Sequence, residues 1–191
     1  MTIKRLAVYC GSAGGGDPRF EEAARELGRT MAERGLELVY GGGRLGLMGI
    51  VADTVIAYGG RTYGVIPRAL VDKEVAHSGL TELITVTTMH ERKARMTELC
   101  DAFVCLPGGI GTLDEMFEAW TWNALGYHCQ PFALLNVAGF WTPFIEFMGH
   151  VSRSGFLSQK RLDQLIVGET PEQVINLLDE AAARATQGIV W

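Results

Sequence analysis

The stretch AFVCLPGGIGTLDEMFEAW, residues 102–120, decides how the fold is read. An apolar run ends in a proline and a cluster of three glycines, and a helical period follows at once. The same order of strand, glycine cluster and helix occurs at VYCGSAGGG (8–16) and VYGGGRLGLMG (39–49). Working outward, strand-like runs fall at 5–10, 36–40, 61–66, 82–86, 102–106, 131–136 and 164–167, with helical periods between most of them. Near-continuous Val, Ile and Leu strands alternating with helices predict a parallel sheet covered on both faces. No Pro/Gly/Ser linker or charge run divides the chain, so one doubly wound α/β domain of about seven strands is expected over residues 1–191. In such a sheet all three glycine turns lie at the carboxyl ends of strands, where ligands bind. One glycine-rich turn is ordinary. Three on one edge point to a polyoxygenated ligand that the backbone approaches closely.

Composition narrows the class. With 48% hydrophobic and 20% charged residues the chain reads as a globular protein. A net charge of −5 argues against nucleic acid as a partner, because nucleic-acid binders carry a basic patch. A small phosphorylated ligand needs only local positive charge and stays open. The N-terminal MTIKRLAVYCGSAGGG reads as a first strand and not as a signal peptide. No run approaches the roughly 18 apolar residues of a membrane helix. Cys10, Cys100, Cys105 and Cys129 form no CxxC pair, so buried reduced thiols are expected and metal ligation is not. A cytoplasmic protein without a membrane partner is the expectation.

The motifs discriminate further. Gly41-Gly42-Gly43-Arg44-Leu45-Gly46 satisfies GxGxxG, the dinucleotide fingerprint. That fingerprint needs an acidic residue at the end of the next strand, and Val65-Ile66-Pro67-Arg68 has none. NAD is therefore disfavoured. Gly108, Gly109 and Gly111 let backbone N–H groups converge without side-chain obstruction, and Thr112 is expected where a helix begins, an end that attracts anions. The GxxxxGK[ST] spacing of a Walker A loop is absent. Thr112-Leu113-Asp114-Glu115 also reads as a capping box, with Glu115 folding back on the Thr112 backbone; on that reading its loss costs about 1 kcal/mol. A functional Glu115 faces a sugar or a water, since a carboxylate aimed at a phosphate repels it.

In MHERKARM (89–96), Met89, Arg92, Lys93 and Met96 share one helical face. Two cations thus interrupt an apolar stripe in a helix's first turn, where positive charge is unfavourable by about 0.3–1 kcal/mol. Either an anion meets them in the fold or they snorkel to solvent. His77, His90, His128 and His150 show no metal-ligand spacing, and Trp120 and Trp122 cannot share a helix face.

At these residues the chain resembles the LOG (Lonely Guy) family, cytokinin riboside 5′-monophosphate phosphoribohydrolases once commonly mislabelled lysine decarboxylases. The resemblance runs from VYCGSAGG through VYGGGRLGLMG, GVIPRAL and MHERKARM to PGGIGTLDE and AWTWNALG. MHERK and PGGxGTxxE, in that order, are its specific signature. It implies a Rossmann-like homodimer without metal or organic cofactor that cleaves the N-glycosidic bond of adenosine-type 5′-monophosphates. Arg92 and Glu115 match the family's catalytic pair. Lys93, the loop Gly109, Ile110, Gly111, Thr112, Leu113, Asp114, and Glu74 and Thr121 match nucleotide-contacting positions. Ser12, Gly43, Met89 and Gly108 join them as candidates lining the same cleft. Ala13 stands where the family often has a second serine, and Asp114 replaces a more usual glutamate. The segment VAHSGLTELITV after Glu74 also diverges, so substrate preference does not carry over.

The residues alone agree with such chemistry. Glycosidic cleavage passes through an oxocarbenium-like state, which an ionised Glu115 beside the ribose would stabilise. Two other classes compete. A non-catalytic carrier or sensor of a phosphorylated ligand, similar to molybdenum-cofactor carriers, needs no carboxylate beside a sugar. A decarboxylase needs a pyridoxal-bearing lysine, and only Lys93 of the four lysines falls near the proposed cleft.

Overall fold

The computed structural model describes residues 3–71, 73 and 76–187. In chain order these give β1 (Arg5–Tyr9), α1 (Pro18–Glu33), β2 (Glu37–Tyr40), α2 (Gly46–Ala57), β3 (Thr62–Pro67), β4 (Glu82–Val86) and α3 (Met89–Leu99). There follow β5 (Ala102–Cys105), α4 (Ile110–Leu125), β6 (Phe132–Leu135), α5 (Thr142–Arg153), α6 (Gln159–Leu162), β7 (Leu165–Gly168) and α7 (Pro171–Gln187). The strands form one sheet in the order β4-β3-β2-β1-β5-β6-β7, and every pairing is parallel. This is the doubly wound, Rossmann-like arrangement that the alternation of strand and helix predicts.

Central strand β1 shows how the layers divide. Leu6 pairs with Leu38 on one side and Ala102 on the other, in register. Leu6 and Val8 point into a core with Leu27, Met31, Val51 and Leu178 from α1, α2 and α7. Ala7 and Tyr9 point the other way, onto Met96, Met116 and Trp141 from α3, α4 and the start of α5. All four are buried, which is why β1 carries no polar alternation.

Local chemistry sets the ends of the helices. Asp17 caps α1 by accepting the Arg19 N–H at 2.9 Å, and Pro18 opens the helix, where its missing N–H costs nothing. Thr170 accepts the Gln173 N–H at 3.3 Å ahead of Pro171, which opens α7. Helix α4 stops at Gly126, whose φ of 82° is the left-handed conformation glycine adopts freely. It starts at Ile110, three residues before its apolar period becomes regular. Short α6 has too few residues to show a period, and Ser158 caps it.

The chain runs outward from β1 to β2, and β5 lies on the opposite side of β1. The turns after β1 and β5 therefore part at the carboxyl edge of the sheet, and the crevice opens between them.

Candidate active site

Three glycine turns pack on one another at this edge. The Gly11 N–H donates to Pro107 O at 3.1 Å, and the Met48 N–H donates to Gly11 O at 3.3 Å. A Cβ at Gly46 would collide with the Ser12–Ala13 backbone, and one at Gly108 with the Thr112 hydroxyl. Between the first and third turns lies a cavity of about 250 Å³ lined by Gly11, Ser12, Gly14, Gly108 and Gly109.

The third turn ends in an uncapped helix. Gly109 is the N-cap of α4 and offers no side chain, and the first turn holds no acidic residue. Its leading N–H groups keep their positive end of the helix dipole uncompensated by any side chain. At Gly109 and Gly111 a Cβ would meet nothing within 4 Å, and neither has a positive φ. The protein's own packing thus demands glycine at neither position. Open space above an uncapped helix end suits an anion.

Thr112 is the third residue of α4, buried with its hydroxyl under Gly108, and Glu115 is the sixth. The capping-box reading is therefore corrected: Glu115 is too far inside the helix to reach an N-cap backbone. Its side chain turns inward, and the residue is 9% exposed. The Tyr9 phenol and the Cys10 and Cys105 thiols have their pKa values pushed up, first by burial and next by the charge of Glu115. Glu115 thus sits at the ends of β1 and β5, where the crevice opens.

Arg92 faces it from α3. Thr88 caps that helix by accepting the Glu91 N–H at 3.1 Å, while Glu91 accepts the Thr87 N–H at 2.7 Å. Glu91 supplies the negative charge that the first turn of α3 favours, which offsets the misplaced cations. The Arg92 guanidinium, in a residue 4% exposed, donates through Nε to Val65 O at 3.1 Å and through Nη2 to Gly41 O at 3.4 Å. The same Nη2 lies 3.4 Å from Glu115 Oε1. A Cβ at Gly41 would occupy the space of Nη2. Met89 Sδ lies 3.8 Å from Nη1. Glycine in the second turn is thus required by Arg92, independently of any nucleotide fingerprint.

Lys93 takes another course. Its ammonium lies 3.1 Å from Asp114 Oδ2 and 2.5 Å from Glu118 Oε2, bridging α3 to two successive turns of α4. Burial pulls its pKa down, and the hydrogen bonds to Glu118 and Asp114 more than reverse this, so the net shift is upward. The anion that sequence reasoning placed near Lys93 is supplied by the protein itself. Glu118 was missed in the sequence, although its i, i+4 spacing from Asp114 puts both on one face.

The remaining candidates scatter around this centre. Gly43 is buried and forms an antiparallel bridge with Ala76. Ser12 and Met89 are exposed at the rim, Leu113 is half-buried, and Ile110 is 87% exposed. Thr121 is exposed six residues beyond Glu115, about 9 Å along the helix axis. Glu74 lies outside the described residues. Among the described residues no three His, Cys, Asp or Glu side chains come together as a metal site. Cys10, Cys100 and Cys105 are buried and unpaired, and Cys129 is exposed.

The chain is similar to known proteins over most of its length. The family described as "Possible lysine decarboxylase" matches residues 48–178. The chain is 43% identical over 189 residues to cytokinin riboside 5′-monophosphate phosphoribohydrolase LOG of Oryza sativa subsp. japonica, covering 99% of this chain and 78% of that one. The chain belongs to the LOG family. It is also 40% identical over 178 residues to the LOG2 enzyme of Arabidopsis thaliana, covering 93% and 84% of the two chains. Among solved structures, the molybdenum cofactor binding protein from Rippkaea orientalis superposes with a TM-score of 0.70 at 20% identity, covering 94% of this chain and 98% of that one. At that identity the likeness establishes the fold alone. The two segments on which the resemblance was read meet here, MHERK contributing Arg92 and PGGIGTLDE contributing Glu115.

Proposed function

We propose that the chain hydrolyses the N-glycosidic bond of an adenosine-type nucleoside 5′-monophosphate, releasing the free base and ribose 5-phosphate. The observation that carries the reading is the buried Arg92–Glu115 pair, 3.4 Å apart, one and a half turns inside the uncapped N-terminus of α4. The phosphate is assigned to the N–H groups of Gly109, Ile110, Gly111 and Thr112, with Gly108 and the Ser12 hydroxyl closing the cradle. An anion there sits on the helix dipole and needs no lysine. Binding energy from this remote group then aligns the anomeric carbon beside Glu115.

Glu115, relayed by Arg92, serves the ribose. As the C–N bond breaks, its electron pair leaves with the base, which takes up a proton. Positive charge develops on the sugar, and the carboxylate opposes it. Water then adds to the anomeric carbon and gives its proton to the carboxylate or to solvent. Arg92 is held by two backbone carbonyls, so it can trade its contact with Glu115 for a substrate oxygen without leaving its place. A carrier has no use for this arrangement. Lys93 supports the loop from behind through Asp114. For it to touch phosphate, as the resemblance implies, it must leave that carboxylate.

A homodimer completes the proposal. Ile110, Phe117, Thr121 and Leu125 lie within about 80° of one another around α4, and all four are exposed. A second copy docked on this apolar face would account for Thr121, which lies too far along the helix to join its own Arg92–Glu115 centre. Three buried unpaired thiols suit a cytoplasmic setting.

The test is incubation with AMP, isopentenyladenosine monophosphate and adenosine, followed by assay for free base and sugar. Both monophosphates should yield base and ribose 5-phosphate, with adenosine poorer by at least about 100-fold for want of its phosphate anchor. Release of base from none of them would remove the proposal.

A further inference from the structure

The glycine turn that seats Arg92 is itself held by a residue to which the proposed reaction assigns no part. His77 follows the 3-10 turn Arg68–Leu70, and its side chain is 10% exposed. Its Nδ1 accepts the Gly79 N–H at 3.0 Å. That bond requires Nδ1 to be unprotonated, so Nε2 carries the ring hydrogen and donates it to Asp53 Oδ1 of α2 at 2.9 Å. The His77 backbone N–H donates to Gly42 O at 3.0 Å, and the adjoining Ala76 bridges to Gly43. Gly42 has a φ of 78°, so the turn bends sharply at the residue His77 grips. One residue earlier, the Gly41 carbonyl accepts from Arg92 Nη2.

We infer that His77 is a positioning residue for the proposed hydrolysis. It ties α2 to the second glycine turn and thereby fixes the carbonyl on which Arg92 is aimed at Glu115. The inference rests on the hydrolase reading for its catalytic consequence. Two of the contacts are made by the ring and one by the backbone, so the ring sets where the backbone N–H stands. Asp53 is 72% exposed, and an ion pair or hydrogen bond to so exposed a partner adds little to global stability. The clamp's consequence is therefore local. It governs the angle of one guanidinium.

Three substitutions separate the contacts. His77→Asn keeps an acceptor where Nδ1 stands and so keeps the Gly79 turn. His77→Gln keeps a donor where Nε2 stands and so keeps Asp53. His77→Ala removes both. Steady-state hydrolysis of AMP, melting temperature and amide hydrogen exchange over residues 41–49 and 76–80 are measured for each. His77→Ala should lower kcat by about 10- to 100-fold, the scale of a misplaced catalytic group, with KM within about threefold. Its Tm should move by no more than about 3 °C. His77→Gln should recover most of kcat and His77→Asn little, and the backbone N–H at position 77 should exchange faster in the Ala variant than in wild type. A kcat within twofold of wild type in His77→Ala would overturn the inference. So would equal loss of kcat in all three variants alongside a matching fall in Tm, which marks a merely structural residue. Wild-type protein that releases no base from any purine monophosphate sinks the hydrolase reading. The clamp is then decided by exchange alone, and unchanged protection of the backbone N–H at position 77 in the Ala variant refutes it.

Discussion

Arg92 owes its place to what is missing at Gly41, where any side chain would fill the position of Nη2. Such a constraint is invisible as chemistry in the sequence, where GGGRLG reads first as a nucleotide fingerprint. The pair it permits also changes the meaning of Glu115. As the sixth residue of α4, with a buried guanidinium 3.4 Å away, it is no helix cap. Glu115→Ala would remove a charged partner of that guanidinium and keep its neutral contacts with Val65 O, Gly41 O and Met89 Sδ. We predict a loss of about 3 kcal/mol in urea unfolding, the low end for breaking a buried pair and well above the roughly 1 kcal/mol of a lost cap. A loss at or below the cap value would mean that the pair is solvated and contributes little. Arg92 and Glu115 were legible as candidates because their types conflict with their surroundings: a cation on an apolar helical stripe and an acid beside a glycine-rich turn. Glu118 was not, because a single acid on a helix looks like solvent-facing charge until Lys93 is seen against it.

Helices α3 and α4 meet through Lys93, whose ammonium spans Asp114 and Glu118. This strut sets the angle between the helix carrying Arg92 and the helix carrying Glu115. Lys93→Met should lower Tm by about 5 °C, the scale of charged hydrogen bonds lost from a chain of this size, and reduce kcat with little change in KM for AMP. If KM rises sharply for AMP but not for adenosine while Tm holds, Lys93 reaches phosphate and the strut account is wrong. At this scale the sequence was informative about strands, whose apolar runs 82–86 and 102–106 lie on or within one residue of β4 and β5. It was weaker at the start of α4. Ile110 and Gly111 break the amphipathic period, one by exposure and the other by its low helix propensity. In the sequence the regular period therefore begins at Leu113, and Thr112 passes for a cap.

Across the whole molecule, two cores clamp one parallel sheet, and the turns that part at β1 and β5 open the crevice in which the two signature segments meet. The alternation of strand and glycine turn sufficed to place that crevice, because only a parallel sheet puts all such turns on one edge. The exposed face of α4 is the one proposed to receive a second copy of the chain. Leu125, 67% exposed, belongs to that face, and Leu125→Arg should convert a dimer to monomers in sedimentation with reduced hydrolysis of AMP. A wild-type protein that sediments as an active monomer would contradict the dimeric site. The central claim is that an anion is held at the uncapped end of α4 while Glu115 acts on the ribose. Its most direct test is single-turnover cleavage of AMP by wild type and Glu115→Gln, with binding measured alongside. The account predicts that Glu115→Gln binds AMP within about threefold of wild type and cleaves it at least about 100-fold more slowly. Cleavage by Glu115→Gln at the wild-type rate, or loss of binding equal to the loss of rate, would contradict it.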